Sequence, residues 1–389
     1  MSAQTAEFLE GLRNEGTNGA SLLQTVVDHY RQLQRPLELF EALKMQLRFE
    51  LQLPLVQEPG ESNLPEDVDR RLEQGLLAAC DEVGTMLLGL GRIRDGWLYL
   101  RPTGKKNKVA KILADVAVTE ENAEELVDVL LYEGVDVGRG VQIILDRQGT
   151  CNSITVFDQA IISMPREAQR SAAAVLLEHV HAELLASVQA DIANRQSPAD
   201  PQLNLADLAE QNAWMFDNGA YHLDTSHLAS TVRFARVLTE QRHLQMAWEL
   251  TQYGRRLHQS LQYPGDEPFV DFYPAHASFF GALLGRSVES SLSVFQRKAR
   301  ASDPQQQGTE PLEVYVDLLD RVGRPTDALR AAIQLAPTEL PASRLAPLLL
   351  DLANKADDYQ PVIDYCLEKG DALGFAAARV SSLARSTAV

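Results

Sequence analysis

The sequence predicts an all-α chain of stacked antiparallel helical hairpins. Three observations carry that prediction. Apolar residues recur at three- and four-residue spacing almost throughout; the strict alternation of half-buried strands does not run beyond four residues; and glycines and helix-capping residues punctuate the pattern at helix-length intervals. With 389 residues, 45% of them hydrophobic, the chain has material for two or three compact domains or one elongated stack.

Residues 1–57 read as an amino-terminal helical hairpin. The first residues, Met1 to Glu7, carry neither the basic and apolar stretches of a secretory leader nor the arginines of a transit peptide. A Pro/Gly/Glu-rich stretch, Pro59 to Pro65, precedes a long helix opening at Asp67-Val-Asp-Arg-Arg-Leu72. Another helix is expected from Thr119-Glu-Glu-Asn-Ala-Glu-Glu125, where a hydroxyl cap followed by acids suits the positive end of the helix dipole, to a left-handed stop at Gly134. Its partner covers about 138–148 and ends at Gly149. Residues 66–300 read as a hairpin core with a His- and aromatic-rich middle at 175–285, and 309–389 as carboxy-terminal hairpins. Arg195 to Asn204 and Ala299 to Pro311, the latter containing Gln305-Gln-Gln-Gly308, read as linkers.

Within Glu82 to Leu100, Gly84, Gly91 and Gly96 fall at small-turn-small spacing, with Leu87 and Leu100 at apolar positions. Leu318-Leu-Asp-Arg-Val-Gly-Arg-Pro-Thr-Asp-Ala328, followed by Ala331, Ala332 and Pro337, has a turn glycine, crossing alanines and a terminal proline. Arg236 to Tyr253 is a fainter echo in which Ala247 is the crossing residue and no turn glycine exists. These places resemble tetratricopeptide repeats, although no constant period of about 34 residues joins them. The resemblance implies a tetratricopeptide-like α-solenoid or superhelix whose concave groove binds peptides, and it brings no catalytic residues with it.

Lys and Arg number 36 against 54 Asp and Glu, a net charge of -18 that repels phosphate backbones and anionic bilayers, so neither nucleic acid nor membrane is the expected partner. No uninterrupted run approaches the roughly 18 apolar residues of a membrane span. Cys80, Cys151 and Cys366 are odd in number and lack Cys-x-x-Cys pairing, which fits a reducing cytoplasm.

Seven of the eight histidines (His179, His181, His222, His227, His243, His258 and His276) lie in the middle region, with Trp214 and Trp248. On the helix expected over Ala172 to Ile192, the residues Leu177, Val180, Leu184, Val188 and Ile192 form an apolar stripe with His181 at its edge. His179, Glu183, Ser187 and Asp191 form a polar ridge. Imidazole and carboxylate one turn apart suit metal chelation or a base with its orienter, and equally a solvated ion pair. The segment Asp217 to His227 leads into a helix beginning near Thr225, with Asp224, Thr225 or Ser226 as cap and His222 and His227 flanking it. The loop Tyr263 to His276 is too rich in aromatics and prolines for a solvated linker. It reads as the wall or lid of a cleft carrying Asp266, Asp271 and His276, or as a hydrophobic plug, with Asp271 or Tyr273 before the next helix and Pro274 as its first residue.

Cys151, near a helix start, is a candidate nucleophile, and Lys105, Lys106 and Lys108 make a basic spot. The P-loop, Gly-x-Gly-x-x-Gly, Gly-x-Ser-x-Gly and His-Glu-x-x-His signatures are absent. The expected function is binding of a protein or peptide partner on a curved helical surface, with Trp214, Tyr221, Asp224, Tyr263, Asp271 and Tyr273 as candidate contacts and no cofactor. The alternative is a metal-dependent enzyme or small-molecule binder, in which His179, His181, Glu183, His222, His227 and His276 would ligate zinc, manganese or iron.

Overall fold

The computed structural model describes residues 3–14, 18–56, 64–196, 200, 202–303, 308–337 and 340–386. The expected linkers at 59–65, 195–204 and 299–311 therefore lie partly outside the described residues. Every regular element among those residues is helical. Contacts divide the chain into two compact units, Met1–Asn152 and Ser153–Val389.

The first unit comprises α1 (Ala3–Asn14), α2 (Gly19–Gln32), α3 (Pro36–Glu50), α4 (Glu66–Gly89), α5 (Ile93–Leu100), α6 (Lys106–Ala114), α7 (Ala123–Val127) and the first part of α8 (Val137–Gln159). Consecutive helices pack together, α2 with α3, α3 with α4 and α4 with α5. Gly91, at φ 76°, makes the turn between α4 and α5. Gly84 and Gly96 allow the two helices to cross closely, since a Cβ on Gly84 would stand 2.9 Å from the Gly96 carbonyl oxygen. Leu88, Trp97, Leu100, Leu113, Leu126 and Leu130 form one core cluster of this unit, and Val27, Leu39, Val83 and Leu87 another.

The helix expected from Thr119 starts four residues later. The Thr119 N–H donates to Asn122 Oδ1 and the Asn122 amide donates to the Ala117 carbonyl, so the asparagine braces a loop where a hydroxyl cap was expected. A π-turn, Asp128–Tyr132, then carries the chain to Gly134, which stops it in the left-handed region as expected. Gly149, at φ 80° and ψ 178°, breaks α8. The basic spot is absorbed locally: Lys105 and Lys108 hold Asp81 at 3.3 and 2.8 Å, and Lys106 donates to the Glu133 and Gly134 carbonyls.

The second unit is organised on α9 (Arg166–Arg195), against which α11 (Thr225–Phe234) and α12 (Gln241–Gly254) pack; the short α10 (Leu205–Gln211) packs on α12. The expected stripe of α9 is buried at every position, with Leu177, Val180, Leu184 and Val188 fully closed. Of the described helices, α9 is the one whose length and mean hydropathy reach those of a membrane span, and its apolar face is taken up by this packing.

The chain continues through α13 (Phe272–Leu283), α14 (Val288–Ala301), α15 (Glu310–Arg321), α16 (Pro325–Leu335), α17 (Ala342–Ala356), α18 (Gln360–Lys369) and α19 (Ala372–Ser386), each packing on its successor. Gly323, at φ 81°, turns α15 into α16, and Ala328 and Ala332 are buried where the helices meet. Helix α13 begins two residues before Pro274, with Asp271 as its cap; proline fits because the first-turn N–H groups have no intrahelical partner.

A candidate binding groove in the second unit

Three segments meet around the turn at 235–238. Arg321 of α15 donates to the Arg236 and Leu238 carbonyls, and Arg170 of α9 donates to the Val237 carbonyl at 3.0 Å. Gln169 donates to the Ile162 and Met164 carbonyls at 2.9 and 2.8 Å, which fixes the turn before α9. These bonds from three long polar side chains satisfy backbone acceptors that no helix ladder serves. Arg321 is largely buried, and desolvation holds its pKa below the ordinary arginine value, with Asp317 opposing.

Two adjoining hollows open beside this turn and share Ile162, Arg233, Arg236 and Glu310. The larger, about 510 Å³, is walled by Ser226, Ala229 and Ser230 of α11, by Tyr263 to Asp266 and Phe269 of the aromatic loop, and by Phe272 and His276 of α13. The smaller, about 260 Å³, is walled by Phe157, Phe234, Phe279, Val314 and Asp317, among others. Together they make a groove with aromatic walls and a polar waist. At the waist, Arg236 pairs with Glu310 at 2.8 Å and Arg233 with Asp158 at 2.8 Å.

The aromatic loop is both plug and wall. Phe269 is buried, stacked on the His276 ring at 4.1 Å with the Arg236 guanidinium 4.7 Å from its own centroid, whereas Tyr263 and Val270 are half exposed. His276 Nδ1 lies 2.8 Å from the Phe272 carbonyl oxygen, while its Nε2 is buried without a partner. Burial lowers the His276 pKa to about 3, so the ring is neutral at neutral pH.

The other candidates go elsewhere. Asp224 caps α11, accepting from the Ser226 N–H and hydroxyl and from the His227 N–H; the Ser226 hydroxyl, more than any other group, holds its pKa below the usual carboxylate range. His222 bridges two helices: its Nε2 stands 3.2 Å from Asp191 Oδ2 and its Nδ1 2.9 Å from the Tyr253 hydroxyl, which also accepts from the His222 N–H. With the carboxylate accepting from Nε2–H, Nδ1 is left to accept from the phenol. His179 and Glu183 face each other at 3.6 Å on the exposed side of α9. His181 is bonded to Glu249 in the core.

Trp214 donates to Asn212 Oδ1 under the Arg195 guanidinium, and Tyr221 is exposed. Tyr273 is closed to solvent, its ring lying on Gly254, and so offers no binding surface in this conformation. Asp271 belongs to a separate hollow with Arg297 and Lys298. Of the twelve candidate residues, Tyr263 and His276 line the groove. Among the described residues, no group of three or more His, Cys, Asp or Glu is placed to hold a metal ion.

The residues that shape the groove most, Ile162, Ser230, Arg233, Arg236, Phe269 and Phe272, were not singled out by sequence. One signal was present: Arg233 and Arg236 stand three residues apart, as do Phe269 and Phe272, and all four line the larger hollow. Compared with family models, with curated protein sequences and with solved structures, the chain matches none.

Proposed function

We propose that this chain is a cytoplasmic helical-hairpin protein of tetratricopeptide-like build that binds a protein or peptide partner in the groove of its second unit. The observation that carries the proposal is the groove itself. It combines apolar walls with a small number of fixed polar groups, the composition of sites that recognise extended or partly apolar ligands. The glycine crossing of α4 and α5 and the Gly323 turn with its buried alanines support the tetratricopeptide-like build of the hairpins. The two adjoining hollows give a peptide two seats, with the Arg236–Glu310 pair offering polar contacts between them. The formal net charge of -18 over the whole chain supports a protein or peptide rather than a nucleic acid as the partner.

Panning a displayed peptide library on the folded protein tests the proposal. Ser230 is half-buried and lines the larger hollow, so Ser230→Trp is expected to obstruct the hollow without replacing a core residue. Recovered peptides are expected to bind the native protein and to lose at least tenfold in affinity for the variant, at unchanged thermal stability. Peptides that bind both proteins equally would place recognition elsewhere.

A further inference from the structure

We infer that the larger hollow seats an aromatic ring bearing a neutral hydrogen-bond donor, a phenol or an indole, which donates to His276 Nε2. This rests on reading the groove as a peptide site, and it names the side chains, tyrosine or tryptophan, that anchor the peptide there.

The tautomer of His276 decides the polarity. The Phe272 carbonyl can only accept, so the nitrogen 2.8 Å from it, Nδ1, carries the proton. The other nitrogen is then a lone-pair acceptor, and it is the one left without a partner. A buried acceptor with nothing to accept from is a standing cost that a ligand proton removes. His276 is part of the wall of the hollow, beside Phe272, a half-buried ring that suits a flat apolar guest, and beside Phe269, which is buried against the imidazole and Arg236.

The charge of the guest follows from the burial of the same nitrogen. Nε2 is closed to solvent, so an ammonium donor would have to shed its water to reach it, a cost that a neutral donor largely avoids. An anion without a proton has nothing to donate to Nε2. A neutral O–H or N–H on a ring satisfies both conditions. Because Nε2 is closed to solvent, the donor reaches it only as loop side chains move aside, so binding is expected to perturb Phe269 as well.

The test uses the full chain with ¹⁵N-labelled histidine and two small probes of similar size, p-cresol and 4-fluorotoluene, followed by NMR titration. The native protein is expected to bind p-cresol about fivefold more tightly, the equivalent of one ordinary neutral hydrogen bond. The His276 Nε2 resonance is expected to move with p-cresol alone, and the preference to vanish in His276→Phe. Equal affinities, a preference that survives His276→Phe, or a stationary Nε2 resonance would overturn the inference. The Nε2 resonance is read on the native protein, so the test stands even if the variant folds poorly. Library peptides that respond to Ser230→Trp without any p-cresol preference would overturn this inference and leave the groove reading in place. A p-cresol preference without peptide capture would do the reverse.

Discussion

Nε2 of His181 lies 2.7 Å from Oε2 of Glu249, with the two side chains 11% and 6% exposed. The pair ties α9 to α12 across 68 residues of sequence, and Gln245 completes it by donating to the other carboxylate oxygen at 2.7 Å. A histidine that chemistry could have recruited is thus spent on holding two core helices together.

Removing His181 leaves Glu249 buried with Gln245 alone to serve it. His181→Ala is expected to cost about 3 kcal/mol of unfolding free energy, whereas the apolar double replacement His181→Leu, Glu249→Met should cost much less. Urea denaturation of the two variants beside the native protein measures the difference. Equal losses would mean that packing, rather than the hydrogen bond between the two side chains, sets the cost.

The crossing of α4 and α5 depends on two missing side chains. Gly84→Ala is expected to destabilise by about 1–3 kcal/mol, because its Cβ would meet the Gly96 carbonyl and the Leu100 side chain. Gly89→Ala, on the same helix with open space around it, should be neutral or stabilising by about 0.5–1 kcal/mol. A lower melting temperature for Gly84→Ala and an unchanged or higher one for Gly89→Ala are the expected outcome.

His276 gives stability a pH dependence. Its folded pKa, about 3, lies below the ordinary value of 6.5, so the unfolded chain takes up the proton first. The contribution is full above pH 6.5 and falls as pH drops from 6.5 towards 3. Between pH 7.5 and 5 it amounts to about 2 kcal/mol. Unfolding free energies of native protein and His276→Phe, measured at pH 7.5 and 5.0, should differ by that amount in their pH response. Parallel responses would show that His276 does not titrate on unfolding in this range.

Tyr253→Phe leaves both the His222 N–H and its Nδ1 without the hydroxyl that serves them. A loss of about 1–3 kcal/mol is expected, together with faster hydrogen exchange at the His222 amide. An amide as protected as in the native protein would show that the phenol is dispensable to the loop.

Much of this architecture was legible because its causes are local. The stripe from Leu177 to Ile192, the Asp224 cap and the glycine stops at 134 and 149 each follow from chemistry within one or two turns. The helix start at Thr119 was misread because Asn122, with two bonds back into the loop, outcompetes the hydroxyl cap. The loop from Tyr263 was recognisable as something other than a linker from its composition. What it covers was not, since Ile162, Arg233, Arg236 and Glu310 are brought together by tertiary packing. The partners of His181, His222 and His243 lie 68, 31 and 65 residues away, beyond the reach of any periodicity.

The central claim is that partners enter the groove of the second unit, and site-specific photocrosslinking tests it most directly. A photoreactive residue at Ile162, which is half exposed and shared by both hollows, would be compared in cells with one at Leu373, an exposed apolar position on α19. A discrete crosslinked partner from position 162, abolished by Ser230→Trp, is the predicted result. Crosslinks from position 373 with none from position 162 would contradict the claim.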